Sequence, residues 1–263
     1  MSSDVVALFD RLASSYDSVL PFFASFGRLT ADRLPAPAPG DRLLDVGAGR
    51  GAVAFAARSR GYTVTATDAA PAMVALLRPE LDAHVMYAAS LDFPDGTFDV
   101  VTAGLVVHLL DDPAAMVSEV RRVLKPGGLF AFTVPGRVPE GFEFADGANE
   151  LFAAFSVHLP PGGGMGAPFD ELEALAGFTD VTETDLRVEL PVGDAGTLWE
   201  WFQTHGSRKF FDDLPPVRRD EFRRRLLDDL NRRDRIVLRR YAWLYTGRSS
   251  PLTNVMPTGV DRN

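Results

Sequence analysis

Leu43-Leu-Asp-Val-Gly-Ala-Gly-Arg-Gly51 is a short apolar run that enters three glycines at alternate positions, and residues 52–60 behind it are strong helix formers up to Gly61. The pattern predicts a strand, a tight loop and a helix. With no side chains at Gly47, Gly49 and Gly51 the backbone can turn sharply and approach a ligand at the helix N-terminus, which marks a nucleotide-type cofactor site. Gly47-x-Gly49-x-x-Ala52 also satisfies the glycine pattern of a dinucleotide-binding fold, so the loop alone leaves the cofactor open. Asp68 stands 21 residues beyond Gly47, at the end of the next β-branched run, Tyr62-Thr-Val-Thr-Ala-Thr67. A carboxylate there can accept hydrogen bonds from both ribose hydroxyls of an adenosine. It can also cap the helix that Ala69-Ala-Pro71 introduces, and the two roles can coexist.

Outward from the loop, strands alternate with helices. Helices are expected over 52–60, 71–77 and 113–124, the last stopped by Pro126-Gly-Gly128. Strands are expected over 43–46, 62–67, 84–88, 98–103 and 129–134. Such alternation calls for a parallel sheet covered on both faces, the α/β class. Ahead of it, Val5, Leu8, Phe9, Leu12, Leu20, Phe23 and Phe26 recur at helical spacing broken near Pro21, which predicts two amphipathic helices within 1–34. Pro35-Ala-Pro-Ala-Pro39-Gly40 then forces an extended connector. Beyond Pro135 the pattern predicts a helix over 169–175, a strand over 181–192, a helical stretch over 193–235 and a closing strand over 237–246. The organisation expected is N-terminal helices over 1–34, a core over 40–192 and 236–248, a helical insertion over 193–235 and a flexible tail over 249–263.

Composition removes several functions. The chain of 263 residues is 46% apolar and 24% charged, ample for one sizeable core, and no apolar run approaches the length of a membrane span. It has no cysteine, hence no disulfide, no thiolate nucleophile and no cysteine-held metal, which suits a reducing cytoplasm. A net charge of −9 argues against an extended nucleic-acid surface and moves small-molecule partners forward. The arginine-rich run from Arg218 to Arg240 reads as a solvated helix face, with an anion-binding patch as the alternative.

The loop keeps distinctive company. Together with it, Thr67-Asp-Ala-Ala-Pro-Ala-Met73, Phe93-Pro-Asp-Gly-Thr-Phe-Asp-Val-Val101 and Val120-Arg-Arg-Val-Leu-Lys-Pro-Gly-Gly128 resemble, in order and spacing, the class I S-adenosylmethionine-dependent methyltransferases of the ubiquinone and menaquinone type. The resemblance runs from about Phe9 to Val134 and resumes at Ala174-Leu-Ala-Gly-Phe-Thr-Asp-Val181. It implies a Rossmann-like, mostly parallel seven-stranded sheet with an antiparallel last strand, S-adenosyl-L-methionine as cofactor and S-adenosyl-L-homocysteine as its product. It further implies that Asp45, Gly47, Gly49 and Gly51 surround the methionine part of the cofactor and that Asp68 holds the ribose. Met73 and the backbone near Ala69 would border the adenine, and Tyr16 would approach from the N-terminal helices. Leu105, after the fourth strand, joins this set. Relatives often carry an Asp that reaches the adenine amino group; here Tyr87 or Ala88 falls at that position, and backbone at Ala88, Ala89 or Ser90 would serve instead. Arg50, where a smaller residue is common, either faces solvent or helps hold the cofactor carboxylate.

Methyl transfer is a direct displacement that needs an acceptor atom held in line, and an acidic acceptor also needs a base. His108 follows the fourth strand in Gly104-Leu-Val-Val-His-Leu-Leu-Asp111 and is the candidate base, with shaping of the pocket as its other reading. His158 and His205 are open between pocket and surface or cap, and His84 reads as a strand-edge residue. Phe142, Phe144, Phe152, Phe155, Trp199, Trp201, Phe202, Phe210 and Phe211 crowd the two variable segments. They favour an apolar or aromatic acceptor, methylated at oxygen, nitrogen or carbon, over a sugar or nucleic acid, in secondary or quinone-type metabolism. The rivals are a reaction on the same fold that spares the methyl group, such as a cyclisation, a nicotinamide oxidoreductase, and a non-catalytic binding protein.

Overall fold

The computed structural model describes residues 3–136, 145–160 and 170–250. In chain order the elements are α1 (Ser3–Leu12), α2 (Phe22–Arg33), β1 (Arg42–Val46), α3 (Ala52–Ser59), β2 (Thr63–Asp68), α4 (Pro71–Leu77), β3 (Asp82–Val85), β4 (Phe98–Gly104), α5 (Pro113–Val123) and β5 (Leu124–Pro135). There follow α6 (Ala148–Ser156), α7 (Glu171–Ala174), β6 (Phe178–Val192), α8 (Ala195–Gln203), α9 (Arg208–Asp213), α10 (Pro216–Leu230) and β7 (Ile236–Ser249). A single 3-10 turn, Val107–Leu109, follows β4.

Seven strands form one sheet in the order β3-β2-β1-β4-β5-β7-β6. All pairings from β3 to β5 are parallel, and β7 runs antiparallel between β5 and β6. Consecutive residues of a strand face opposite sides, so Leu43 packs into one core with α2, α3 and the helices after β6. Leu44 packs into the other with α5. Both layers are apolar, as a parallel sheet requires. The strand order reverses between β1 and β4, and the crevice above their C-terminal ends is where open α/β sheets bind ligands.

Several expected boundaries move. The third strand is Asp82–Val85, two residues earlier than 84–88, because the chain leaves the sheet after Val85 and turns, with Ser90 N donating to Tyr87 O at 2.9 Å. Helix α5 ends at Val123 rather than 124, since Leu124 already pairs with Phe98. Pro126-Gly-Gly128 is absorbed as a bulge in β5 before Leu129 pairs with Val100, so the strand does not wait until 129. Strand β6 starts at Phe178 instead of 181, kinking between Thr179 and Thr182. The helical stretch over 193–235 resolves into α8, α9 and α10. Ser249 belongs to β7, not to the tail, and its hydroxyl donates to Lys125 O; residues 251–263 lie outside the described residues. So do Phe142 and Phe144. No helix among the described residues is long and apolar enough to cross a membrane.

Helix α2 is held on the opening turn of α3 by contact without a side chain: a Cβ on Gly27 would stand 2.2 Å from Ala52 O. That close approach brings the N-terminal segment over the glycine loop.

Candidate functional site

The loop after β1 is left-handed at all three alternate glycines, with φ of 67° at Gly47, 54° at Gly49 and 82° at Gly51. Space adds a second constraint at two of them. A Cβ at Gly47 would lie 2.4 Å from the Val106 side chain, and one at Gly51 would lie 2.7 Å from the Phe55 ring. At Gly49 it would meet only the Tyr16 ring, at 4.0 Å, because this glycine faces the open crevice.

Asp68, at the end of β2, clasps the loop from the side. One carboxylate oxygen accepts from Gly49 N and the other from Ala70 N, both at 2.8 Å, so the helix-capping bond and a position beside the crevice coexist. Burial raises its pKa against these amide bonds. Asp45 sits one layer deeper. It accepts from Thr102 Oγ1 at 2.7 Å and from Ala54 N at 3.1 Å, tying β1 to β4 and to the first turn of α3. It is 1% exposed and does not line the described cavities. Burial outweighs both hydrogen bonds and pushes its pKa to about 7.

Three cavities meet at Tyr16, two of them bordering the loop. A groove of about 500 Å³ runs past Gly49, Arg50, Gly51 and Phe55 under the N-terminal segment. A slot of about 50 Å³ lies on the other side, between Asp68, Met73, Phe9 and Leu105. A third cavity of about 210 Å³ opens beyond Leu105, walled by Phe22, Phe23 and Phe26 of α2, by Trp201 and by His108. Tyr16 lines all three. Its ring stacks on Phe23 at 4.5 Å and meets Phe9 edge-on at 5.9 Å. Burial, reinforced by the charges of Asp17 and Asp68, holds its hydroxyl protonated.

Arg50 is exposed, and its guanidinium donates to the carbonyls of Tyr16 at 3.1 Å and Ser14 at 3.3 Å. It straps the N-terminal segment across the loop, a role absent from both sequence readings. Asp17 anchors the same segment by accepting from Phe23 N and Ala24 N, each at 2.9 Å. Ala69 does not line the cavities, and Ala88, Ala89 and Ser90 stand in the turn beyond β3, away from the cavity walls, with Ala89 and Ser90 exposed.

His108 lies on the 3-10 turn, delivered there by Leu105, whose left-handed backbone (φ 56°) is pinned by its N–H to Thr133 Oγ1 at 2.9 Å. The ring lines the third cavity. Its Nδ1 is shut away from solvent and has no hydrogen-bond partner, and burial lowers its pKa to about 4. A buried N–H without an acceptor is costlier than a lone pair without a donor, so the proton belongs on Nε2. The ring is then neutral, with its N–H on Nε2.

His205 is buried in the same wall. Nδ1 donates to Trp201 O at 2.8 Å, Nε2 is 2.9 Å from Ser207 Oγ, and the ring packs 4.1 Å from Trp201. Burial takes its pKa to about 3; the bond to Trp201 opposes this and the charge of Arg240 adds to it. His158 packs on Phe155 and does not line the three cavities, while His84 pairs with Asp82 at 2.8 Å on the edge strand. Of the aromatic residues singled out in the variable segments, Trp201 reaches the cavity. Phe152, Phe155, Phe202, Phe210 and Phe211 pack on one another and on Phe222 inside the helical layer.

The sequence reading does not single out the cavity residues Phe22, Ser207 and Tyr241, and it takes Phe26 only as part of a helix face and Arg240 only as the end of the arginine-rich run. The two phenylalanines repeat as ordinary helix-core positions, and Arg240 is one among many arginines. Nothing local marks them.

A model of the methyltransferase domain matches residues 44–132. The chain is 34% identical over 254 residues to the nocamycin O-methyltransferase of Saccharothrix syringae, covering 85% of this chain and 89% of that protein. It is 34% identical over 134 residues to the demethylmenaquinone methyltransferase of Clavibacter sepedonicus, covering 47% of this chain and 55% of that protein. In three dimensions it resembles the crystal structure of a candidate methyltransferase from Bacillus halodurans C-125, with a TM-score of 0.56 at 19% identity, over 85% of this chain and 98% of that one.

Proposed function

The chain belongs to the class I S-adenosylmethionine-dependent methyltransferases, and from that premise we propose that its acceptor is a small, apolar, ring-bearing molecule bound in the aromatic cavity beside the glycine loop. The observation that carries this reading is the meeting of groove, slot and aromatic cavity at Tyr16. One elongated ligand and one compact apolar ligand can then abut at Tyr16 and Leu105, which lines both the slot and the cavity.

S-adenosylmethionine supplies a methyl group already activated on a sulfonium. The residues present fit it. The open face at Gly49 and the N-terminal amides of α3 suit its amino-acid end, the helix terminus favouring the carboxylate. Each Asp68 oxygen accepts one amide and keeps acceptor capacity for the ribose hydroxyls. Met73 and Phe9 offer apolar surface to the adenine. Asp45 acts from behind, fixing the loop's stem against β4 and α3.

For the acceptor, the chain provides position more than proton transfer. His108 as a base would become an imidazolium with its second N–H buried and unmatched, which its low pKa reflects. Donating from Nε2, it orients an acceptor oxygen instead. Tyr16 and Phe23 close the cavity toward the groove and keep water from the reacting atoms.

Calorimetric titration with S-adenosylmethionine, S-adenosylhomocysteine and NADH tests the cofactor half. Micromolar binding of the adenosyl pair without NADH binding is expected, and NADH binding alone would sink the reading. Transfer of labelled methyl to a panel of aromatic and alicyclic acceptors tests the other half; transfer confined to sugars or polynucleotides would contradict it.

A further inference from the structure

The aromatic cavity has one charged side chain in its wall among the described residues, Arg240. Its position is costly. The side chain is 14% exposed, and its Nη1 lies 2.8 Å from Oδ2 of Asp146, a carboxylate with no exposure at all. A buried ion pair of this kind adds little stability over an apolar pair of the same volume, so its place in the wall of a cavity asks for another reason. The guanidinium carbon also lies over two aromatic rings, 5.7 Å from the centre of Trp201 and 6.0 Å from that of Phe202. Strand β7 fixes its root, with Arg240 opposite Val188 in the antiparallel register.

Among the described residues the rest of the wall has no negative charge to compete with a ligand. His205 and His108 are neutral, Tyr16 and Tyr241 keep their phenol protons because burial raises both, and Ser207 brings a hydroxyl. Phe22, Phe23 and Phe26 supply the apolar side. A cation with its counter-ion on the far side, next to a neutral polar edge and an aromatic face, matches an organic acid better than an alcohol or amine.

We propose that the acceptor is an apolar ring acid whose oxyanion, a carboxylate or the conjugate base of an acidic enol or phenol, is bound by Arg240 with Asp146 as the counter-ion behind it. This rests on the reading of the aromatic cavity as the acceptor site. Asp146 sets the strength of the contact by sharing the guanidinium charge.

The test uses the full chain saturated with S-adenosylhomocysteine and three probes of similar shape: 2-naphthoate, 4-hydroxycoumarin as an acidic enol, and uncharged 2-naphthylmethanol. At neutral pH at least one acid is expected to bind ten or more times tighter than the alcohol. Preference for naphthoate alone assigns a carboxylate, and for hydroxycoumarin alone an enol. Asp146→Asn should raise the acid preference several-fold, an effect that a merely structural pair would not give. Arg240→Lys should keep part of the preference, and the paired change Arg240→Met with Asp146→Asn, which leaves no buried charge unmatched, should abolish it. Alcohol and acids binding alike, or no probe binding while S-adenosylhomocysteine binds, would overturn the inference on the native protein alone. Absence of S-adenosylhomocysteine binding would instead strike the cofactor reading.

Discussion

The groove at the glycine loop and the aromatic cavity share a wall at Tyr16 but are built by different means. The groove rests on the backbone of three left-handed glycines and the first turn of α3, a loop that Asp68 braces from the slot side by accepting from Gly49 N. Its lining lies within residues 47–59, apart from Gly104 and the N-terminal segment over 16–28. The cavity is made of side chains from α2, the turn after β4, the α8–α9 corner and β7, segments up to more than 200 residues apart. A backbone site tolerates no change at its glycines and recognises a ligand common to many proteins. A side-chain site can be re-lined without disturbing the sheet, and so can follow its substrate.

The sharpest way to break this contrast is at the loop. Gly47→Ala places a Cβ 2.4 Å from Val106 on a left-handed backbone, and about 3 kcal/mol of stability and most cofactor affinity should be lost. Urea unfolding and calorimetry read both, and Phe26→Leu in the cavity should leave cofactor affinity within about twofold. Asp68→Ala comes next: hydrogen bonds to a charged group are worth roughly 1.5–3 kcal/mol, so affinity for S-adenosylhomocysteine should drop more than about tenfold. An unchanged value would remove Asp68 from the ribose.

On the cavity side, His108→Phe should lower turnover about tenfold at unchanged cofactor affinity, and His108→Asn, which keeps an N–H donor, should recover much of it. If Asn proves as inactive as Phe and the native rate falls below a pKa between 6 and 7, the ring is a base after all.

The smallest effect concerns Asp45. Its folded pKa of about 7 lies above the ordinary carboxylate value, so the folded state binds the extra proton and loses stability as pH rises from about 4 to 7. His108 and His205, with folded values of about 4 and 3, act oppositely: they stabilise above about 6.5 and lose that contribution as pH falls. The native profile therefore mixes both signs. Thermal unfolding of Asp45→Asn against the native chain at pH 5 and pH 8 isolates the aspartate, and the variant should gain relative stability at the higher pH.

Much of the groove was legible in the residues. Gly47, Gly49, Gly51 and Asp68 stand where their spacing placed them, and Tyr16 and Leu105 border the crevice. Ala88, Ala89 and Ser90 do not line the described cavities; β3 ends at Val85, three residues before the expected end at 88, and leaves them in the turn that follows. Short apolar runs fix a strand's existence better than its ends, since the parallel register with β2 decides where pairing stops. His108 was found as a position, but its neutral state was not, because a pKa depends on what surrounds the ring.

The alternation of strands and helices, the strand-loop-helix that carries the glycines and the acid 21 residues on are written in the residues themselves. Those features are local: left-handed backbone selects glycine, and burial of a strand on both faces selects apolar runs. That Phe22, Phe26, His108, Trp201 and Arg240 share one cavity, and that Asp146 backs the arginine, follows from the folded arrangement alone. These outcomes arise where distant segments exclude water together, and hydrogen bonding and charge there follow from packing that no single stretch of chain contains.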